Sequence, residues 1–174
     1  VKSKPFLHDQ SLPSYYADFA HLFTRRRYIE LAMVGDYSLF TSYNKNAKMT
    51  RNHMKTVVHM TNSLYDSLNI EIRLVKLEIL TTRQVPEHVF EHKDKVFDWL
   101  GKFMKRNYKG AHYDAANLFL SRQVGENNPT GAGTKYTLCY PENAFSSKSF
   151  VRDLDSTEKK RKSVRVASTL AHEL

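Results

Sequence analysis

The sequence predicts an α/β fold built on a largely parallel β-sheet. The run from Tyr28 to Val34 is almost entirely apolar and is closed by Gly35, a pattern typical of a strand covered on both faces. Strand-like and amphipathic helical segments then alternate along the chain, as parallel strands joined by helical crossovers require. The length of 174 residues and a hydrophobic content of 41% indicate one globular unit with a substantial core.

The first predicted strand contains one charge, Glu30, and is followed by a predicted helix over residues 50–68. Burying an isolated carboxylate in a strand is costly, so Glu30 is expected to have a partner or to bind a metal. His53 and His59 lie on different faces of the helix, and both are predicted to be surface residues. The helix has one continuous apolar face with helical spacing, formed by Met54, Val57, Val58, Thr61, Leu64, Tyr65 and Leu68.

The segment from Ile70 to Leu80 is predicted to be a strand with a bulge or strong twist near residues 74–75, because its alternating apolar residues change register there. Pro86 suits the first turn of a second helix. The apolar stripe of that helix consists of Phe90, Phe97, Leu100, Met104 and Tyr108.

A third strand is predicted from Tyr113 to Leu120, with Asp114 at its start. Glycine, asparagine and proline indicate a loop over residues 125–133. The alternating segment from Thr134 to Tyr140 predicts an exposed or edge strand, and a polar loop is predicted after Pro141.

The chain ends in a predicted amphipathic helix with His172 and Glu173 on its polar side. Its apolar residues are Val164, Ala167, Leu170, Ala171 and Leu174. His-Glu begins the zinc-binding pattern H-E-x-x-H, in which two imidazoles one helical turn apart share a metal and the glutamate accepts a proton from the attacking water. The pair alone also fits an ordinary polar helix end.

Composition and net charge limit the possible functions less sharply than the His-Glu motif does. The formal charge of +9 suits an acidic partner such as a sulfated glycan, an anionic membrane surface or an acidic protein. No nucleic-acid-binding module is recognisable, so nucleic acid is not the expected partner, and no apolar run is long enough to span a membrane.

Cys139 is the single cysteine, either a reduced thiol or half of a disulfide with a distant partner. Residues 1–27 are predicted to be a leader, which ends at the basic triplet Arg25-Arg26-Arg27; that triplet fits either a processing site or a solvated turn.

Residues 28–174 resemble the N-terminal part of the catalytic domain of the adamalysin/reprolysin group of zinc metalloproteinases, the snake-venom and ADAM-type metzincins. No single motif is specific, but their order and spacing together carry the resemblance. The matching segments are Arg27 to Leu31, Met49 to Ile72 followed by Leu77-Glu78-Ile79, Phe97-Asp98-Trp99, Asp114 to Leu118, Leu138-Cys139 and Ala167 to Leu174.

This resemblance implies a twisted, mostly parallel sheet with an antiparallel edge strand and flanking helices, and an extracellular, secreted or membrane-tethered zinc metalloendopeptidase. It implies that His172 is the first zinc ligand and Glu173 the general base. Glu30 and Asp114 match two ligands of a structural calcium ion, although each carboxylate could instead pair with a lysine or arginine. Cys139 matches a cysteine that the family bridges near the domain's end.

The resemblance also leaves alternatives open. The family's other zinc-binding histidines and its C-terminal subdomain would follow Leu174, so the chain as given is expected to be inactive, and a non-catalytic binding module of the same ancestry is the alternative function. Gly131 fits the glycine of the family's edge strand, whereas Gly133-Thr134 replaces a small-aromatic pair. The segment from Asp155 to Arg165 is predicted to be an unusually basic loop beside the cleft, containing Lys159-Lys160-Arg161-Lys162.

Overall fold

The computed structural model describes residues 25–127, 129–134, 147–153 and 159–174. Five strands and four α-helices lie in this part of the chain, together with short 3₁₀ turns at Asp66–Leu68 and Glu87–Glu91. In order, the strands and helices are β1 (Arg27–Gly35), α1 (Tyr37–Ser42), α2 (Ala47–Tyr65), β2 (Ile70–Ile79), α3 (Lys93–Asn107), β3 (Ala115–Leu120), β4 (Gly131–Gly133), β5 (Ser147–Arg152) and α4 (Lys159–Glu173).

The strands form one mixed sheet in the order β2-β1-β3-β5-β4. β1 pairs in parallel with β2 and β3, and β3 pairs in parallel with β5. β4 is antiparallel to β5 and lies at the edge of the sheet. The predicted α/β class, with a mostly parallel sheet and an antiparallel edge strand, is therefore confirmed.

Both faces of the sheet are covered, which explains the unbroken apolar run of β1. Ala32 and Val34 belong to the core on the face covered by α3. Leu31 and Met33 belong to the opposite core, to which α1, α2 and α4 contribute. Alternate side chains of a strand point to opposite faces, so a strand buried on both faces needs apolar residues at every position.

The predicted irregularity in the second strand is confirmed. Leu31 of β1 pairs with Leu74, but the next residue, Ala32, pairs with Lys76. Val75 is the extra residue between these pairs, and it remains exposed. A bulge of this kind exchanges the residues that face the core from one side of it to the other.

The predicted apolar face of the first long helix extends too far. α2 ends at Tyr65, and the chain then turns through Asn69, which has a left-handed φ of 56°. Leu64 and Leu68 are more than half exposed, while the face from Thr50 to Thr61 is buried. Periodicity identifies the face of a helix, but the elements that cover it decide how far along the helix burial reaches.

The prediction that His53 is a surface residue is wrong, whereas His59 is exposed as predicted. The His53 side chain is only 10% exposed, and its Nε2 lies 3.5 Å from Asp153 Oδ1. Its ring stacks on Tyr43 and on Phe119, with centroid separations of 5.1 and 5.6 Å. Asp153 is a hundred residues away in sequence, so local periodicity could not reveal this burial.

Two assignments near the end of the chain also need correction. The polar loop predicted after Pro141 contains the parallel strand β5, whose Phe150 and Val151 are buried. The basic stretch predicted to be a loop is helical from Lys159 onward. The buried apolar residues of α4 are Val166, Ala167 and Leu170, whereas Val164, assigned to the apolar face, is 59% exposed. The strand β5 was missed because it is short and flanked by polar residues, so its sequence resembles that of a loop.

The predicted loop over residues 125–133 contains a strand at the edge of the described sheet. This strand is formed by Gly131–Gly133. Residues 135–140 of the predicted strand lie outside the described part of the chain, as do residues 1–24 of the predicted leader. No helix among the described residues is long and apolar enough to cross a membrane.

Candidate active site

The C-terminal helix α4 carries the two residues that the sequence marks most strongly, His172 and Glu173. Both lie in its last turn, with His172 exposed and Glu173 partly buried. Leu170 anchors this end of the helix in the core because its side chain is fully buried.

Two side chains of α2 hold the backbone of α4 in place. The Thr61 hydroxyl donates to the Ala167 carbonyl at 3.2 Å, and the Tyr65 hydroxyl donates to the Ala171 carbonyl at 2.7 Å. Burial raises the pKa of Tyr65, so the neutral phenol that donates this bond is maintained. Carbonyls of the last helical turn have no partner within the helix, so the Tyr65 bond satisfies one of them immediately before His172.

The edge strand β4 lies directly against the end of α4. A Cβ atom added to Gly131 would lie 2.6 Å from Thr169 Cγ2. One added to Gly133 would lie 2.6 Å from the backbone oxygen of Glu173 and 3.1 Å from its carboxylate oxygen Oε2. Both contacts are too short for a real Cβ, so glycine lets the strand approach the helix this closely. The Glu173 carboxylate is consequently held beside the backbone of β4.

The electrostatic environment of Glu173 combines burial with nearby positive groups. Burial raises the pKa of its carboxyl group, while His172 and Lys93 oppose that increase. In the described part of the sheet, β4 pairs with β5 alone, and an edge strand is the kind of element that an extended peptide can join. The site therefore places a carboxylate and an exposed imidazole next to a strand edge.

The donor chemistry of His172 fits zinc, since an exposed imidazole is a common zinc ligand. Catalytic zinc sites use three protein ligands. Among the described residues, no group of three or more histidine, cysteine, aspartate or glutamate side chains is arranged to hold a metal. His172 can thus be one member of a zinc site, and Glu173 lies next to it as the sequence predicted.

Glu30 and Asp114, the predicted calcium ligands, are brought together where β1 and β3 run side by side. The Asp114 amide donates to the Glu30 carbonyl, and the Glu30 amide donates to Asp114 Oδ2, both at 2.8 Å. Glu30 Oε2 lies 3.5 Å from Nδ1 of the exposed His112. Carboxylate oxygens are suitable calcium donors, but two residues supply only part of a shell of six to eight. Cys139 lies outside the described residues.

Sequence reasoning did not find the residues that position the site. Thr61 and Tyr65 were assigned to an apolar helix face, where their hydroxyl groups carried no distinct signal. Gly131 was matched to an edge strand by resemblance, but the closer approach to Glu173 is made at Gly133. The Gly-Ala-Gly sequence was the available clue, because glycine alternating in a strand indicates close backbone approach.

A family model described as "Reprolysin (M12B) family zinc metalloprotease" matches residues 27–174. Among curated proteins, the chain is similar to the Caenorhabditis elegans protein "Disintegrin and metalloproteinase domain-containing protein adm-2", with 30% identity over 162 residues. The match covers 93% of the chain but 16% of that relative, so the chain spans about a sixth of its length.

Solved structures with low sequence identity share the fold. Metalloproteinase-II from Bacteroides fragilis superposes with a TM-score of 0.53 at 15% identity, covering 86% of this chain and 41% of that one. A chain from the "Structure of a chaperone-substrate complex" superposes with a TM-score of 0.57 at 12% identity, covering 84% of this chain and 22% of that one.

Proposed function

The chain belongs to the reprolysin (M12B) family of zinc metalloproteases, and from this premise we propose that it forms part of a zinc metalloendopeptidase that cleaves protein substrates. One observation supports the proposal above all. The Glu173 carboxylate lies beside the backbone of the edge strand at Gly133, adjacent to the exposed imidazole of His172. A general base, a metal ligand and a peptide-aligning strand thus lie next to one another.

Each group in the site has a role in the proposed reaction. His172 contributes one ligand to the zinc ion, which when bound supplies a Lewis acid for the scissile carbonyl and makes water more acidic. Glu173 accepts the proton of the attacking water and delivers it to the leaving amine. The outer edge of β4 aligns the substrate as an additional strand, so that its scissile bond lies across the end of α4.

The test is cleavage of an unfolded protein by the complete protein that contains this domain. We expect cleavage that a zinc chelator abolishes and that added zinc restores. Cleavage that persists after complete removal of the metal would contradict the metallopeptidase proposal. Tight binding of protein without any cleavage, in a preparation that contains zinc, would favour the non-catalytic binding module instead.

The cellular setting belongs to the same proposal. The similarity to a disintegrin and metalloproteinase domain-containing protein supports an extracellular or membrane-tethered location, where Cys139 would form a disulfide. The formal charge of +9 would favour contact with acidic glycans at such a location.

We further propose that Glu30 and Asp114 contribute to a structural calcium site. The Asp114 amide donates to the Glu30 carbonyl, and the Glu30 amide donates to the Asp114 carboxylate, so the two residues lie side by side. Neighbouring carboxylates repel each other unless a cation lies between them, and their oxygens are suitable calcium donors. In the complete domain, calcium is expected to raise the unfolding temperature, and the double variant Glu30→Gln/Asp114→Asn should lose that increment. Differential scanning calorimetry with calcium and with magnesium measures it. An equal calcium response in the variant would place the ion elsewhere.

A further inference from the structure

A cavity of about 440 Å³ lies at the carboxyl ends of three parallel strands, away from the strand edge and helix end that form the candidate active site. Residues that follow β1, β2 and β3 line it, among them Ser38, Arg83 and Arg122. The volume falls within the range of small-ligand pockets.

The position of this cavity is the usual ligand-binding position of an open α/β sheet. The chain leaves β1 toward β2 on one side, whereas it leaves β3 toward β4 and β5 on the other. The crevice between β1 and β3 is therefore the point at which the strand order reverses, and ligands characteristically bind outside the carboxyl ends of strands at such points. The proposed peptidase chemistry uses α4 and β4 and leaves this crevice unassigned.

Two arginines converge on one carboxylate at the cavity wall. Both terminal nitrogens of Arg122 donate to the two carboxylate oxygens of Glu87, one of them at 3.0 Å. Arg83 Nη1 lies 3.4 Å from Glu87 Oε1. The forked pairing of Arg122 with Glu87 is the geometry by which arginine recognises carboxylates.

Aromatic rings orient both guanidinium groups. Arg122 lies over the Phe90 ring at 4.0 Å, and Arg83 lies 5.8 Å from the centroid of Tyr37. In addition, Arg122 Nε is buried without a hydrogen-bond partner among the described residues. A buried donor that lacks an acceptor is costly, but this atom is shielded from solvent, so a ligand would contact the two terminal nitrogens of Arg122 that now hold Glu87.

The charge balance of the lining favours an anionic ligand. Lys45 adds a third cation to the two arginines. Of the two lining carboxylates, Asp36 is buried and accepts hydrogen bonds from the Leu39 amide and the Ser38 hydroxyl, which commits it to the start of α1. Glu87 is 62% exposed, and its hydrogen bond with Arg122 holds its pKa below the usual range. It therefore stays ionised, yet it can swing into solvent at little cost.

We propose that this cavity binds a carboxylate ligand, with Arg83 and Arg122 as its receptor and Glu87 as a displaceable internal occupant. The ligand carboxylate takes the place of the Glu87 side chain in the arginine fork. Two sources share this chemistry, an acidic segment of a protein and a free small dicarboxylate. The site is independent of the peptidase proposal, because none of its residues belongs to α4 or β4.

Isothermal titration calorimetry with two probes tests the proposal, namely glutarate and a blocked triglutamate peptide. Exposed ion pairs are weak, so removing the internal competitor by Glu87→Gln should tighten binding only modestly, by up to about fivefold. In the Glu87→Gln background, Arg83→Gln should weaken binding about tenfold through loss of a charge-assisted hydrogen bond. Arg83 is 74% exposed, so its replacement should leave the fold intact. Arg73→Gln is the matched control, because Arg73 pairs with Glu71 on β2.

The outcomes separate clearly. Saturable binding of either probe that depends on Arg83 but not on Arg73 supports the carboxylate receptor, and binding of the peptide alone identifies the source as a protein segment. Failure of both probes to bind the Glu87→Gln variant at millimolar concentration would overturn the proposal. Equal affinity for inorganic phosphate would overturn the assignment to carboxylates. Because binding is measured without a peptidase substrate, none of these results depends on whether the protein cleaves peptides.

Discussion

Replacing Glu173 with alanine in the complete protein is expected to lower kcat by about 10²–10⁴-fold while zinc remains bound. This is the range that a positioned general base typically contributes. The Glu173 carboxylate is partly buried beside Gly133, and alanine at this position has no group that can accept the proton. Initial rates of peptide cleavage and the zinc content of the purified variant measure the two parts of this prediction.

His172→Ala should behave differently, because it removes a metal ligand rather than a proton acceptor. We expect its zinc content to fall along with its activity. Glu71→Ala is the control, since Glu71 lies on β2 and pairs there with Arg26, which precedes β1, and with Arg73. Equal loss of zinc from the Glu173 and His172 variants would reject their separate roles, as would full activity in either.

Gly133→Ala is expected to reduce kcat/KM by about 10²-fold, because the new methyl group cannot fit beside α4. Its Cβ would lie 2.6 Å from the backbone oxygen of Glu173, and a backbone atom cannot move aside as the end of a flexible side chain can. The strand and the helix end must separate, and displacements near 1 Å at a catalytic site cost about this much. Overpacking should also lower the free energy of unfolding by about 1–3 kcal/mol.

Gly101→Ala provides the matched control for this substitution. Gly101 lies within α3, where a Cβ would meet only the flexible side chain of Lys148, at 3.3 Å. Alanine favours a helix over glycine by about 1 kcal/mol, so this variant should be as stable as the parent or more stable, with unchanged kcat/KM. Unchanged kcat/KM in Gly133→Ala would show that β4 does not position the substrate against Glu173.

Much of the sheet could be predicted because β1, β2 and β3 each carry their own signal. The unbroken apolar run of β1 required burial on both faces, and the register change in β2 required the bulge at Val75. Signals of this kind reside in consecutive residues. They predict the structure correctly because backbone geometry fixes which side chains of a strand face each side of the sheet.

Predictions failed where the environment of a residue depends on a distant segment. His53 resembles any polar helix residue until Asp153 is placed beside it after β5. The elements packed on α2 bury its apolar face only as far as Thr61, although the apolar spacing of the sequence continues to Leu64 and beyond. The buried apolar residues of β5 are Phe150 and Val151, too few to show a strand pattern.

By itself the sequence determined the α/β class, the strands β1 to β3 and the presence of His172-Glu173 on the last helix, because periodicity and chain order are local properties. Only the tertiary structure decided that Gly133 closes against Glu173 and that Arg83 and Arg122 meet at Glu87. The residues of each contact lie on different elements. Their approach is set by how helices and strands pack over the whole core, and packing of that kind leaves no pattern in any single stretch of chain.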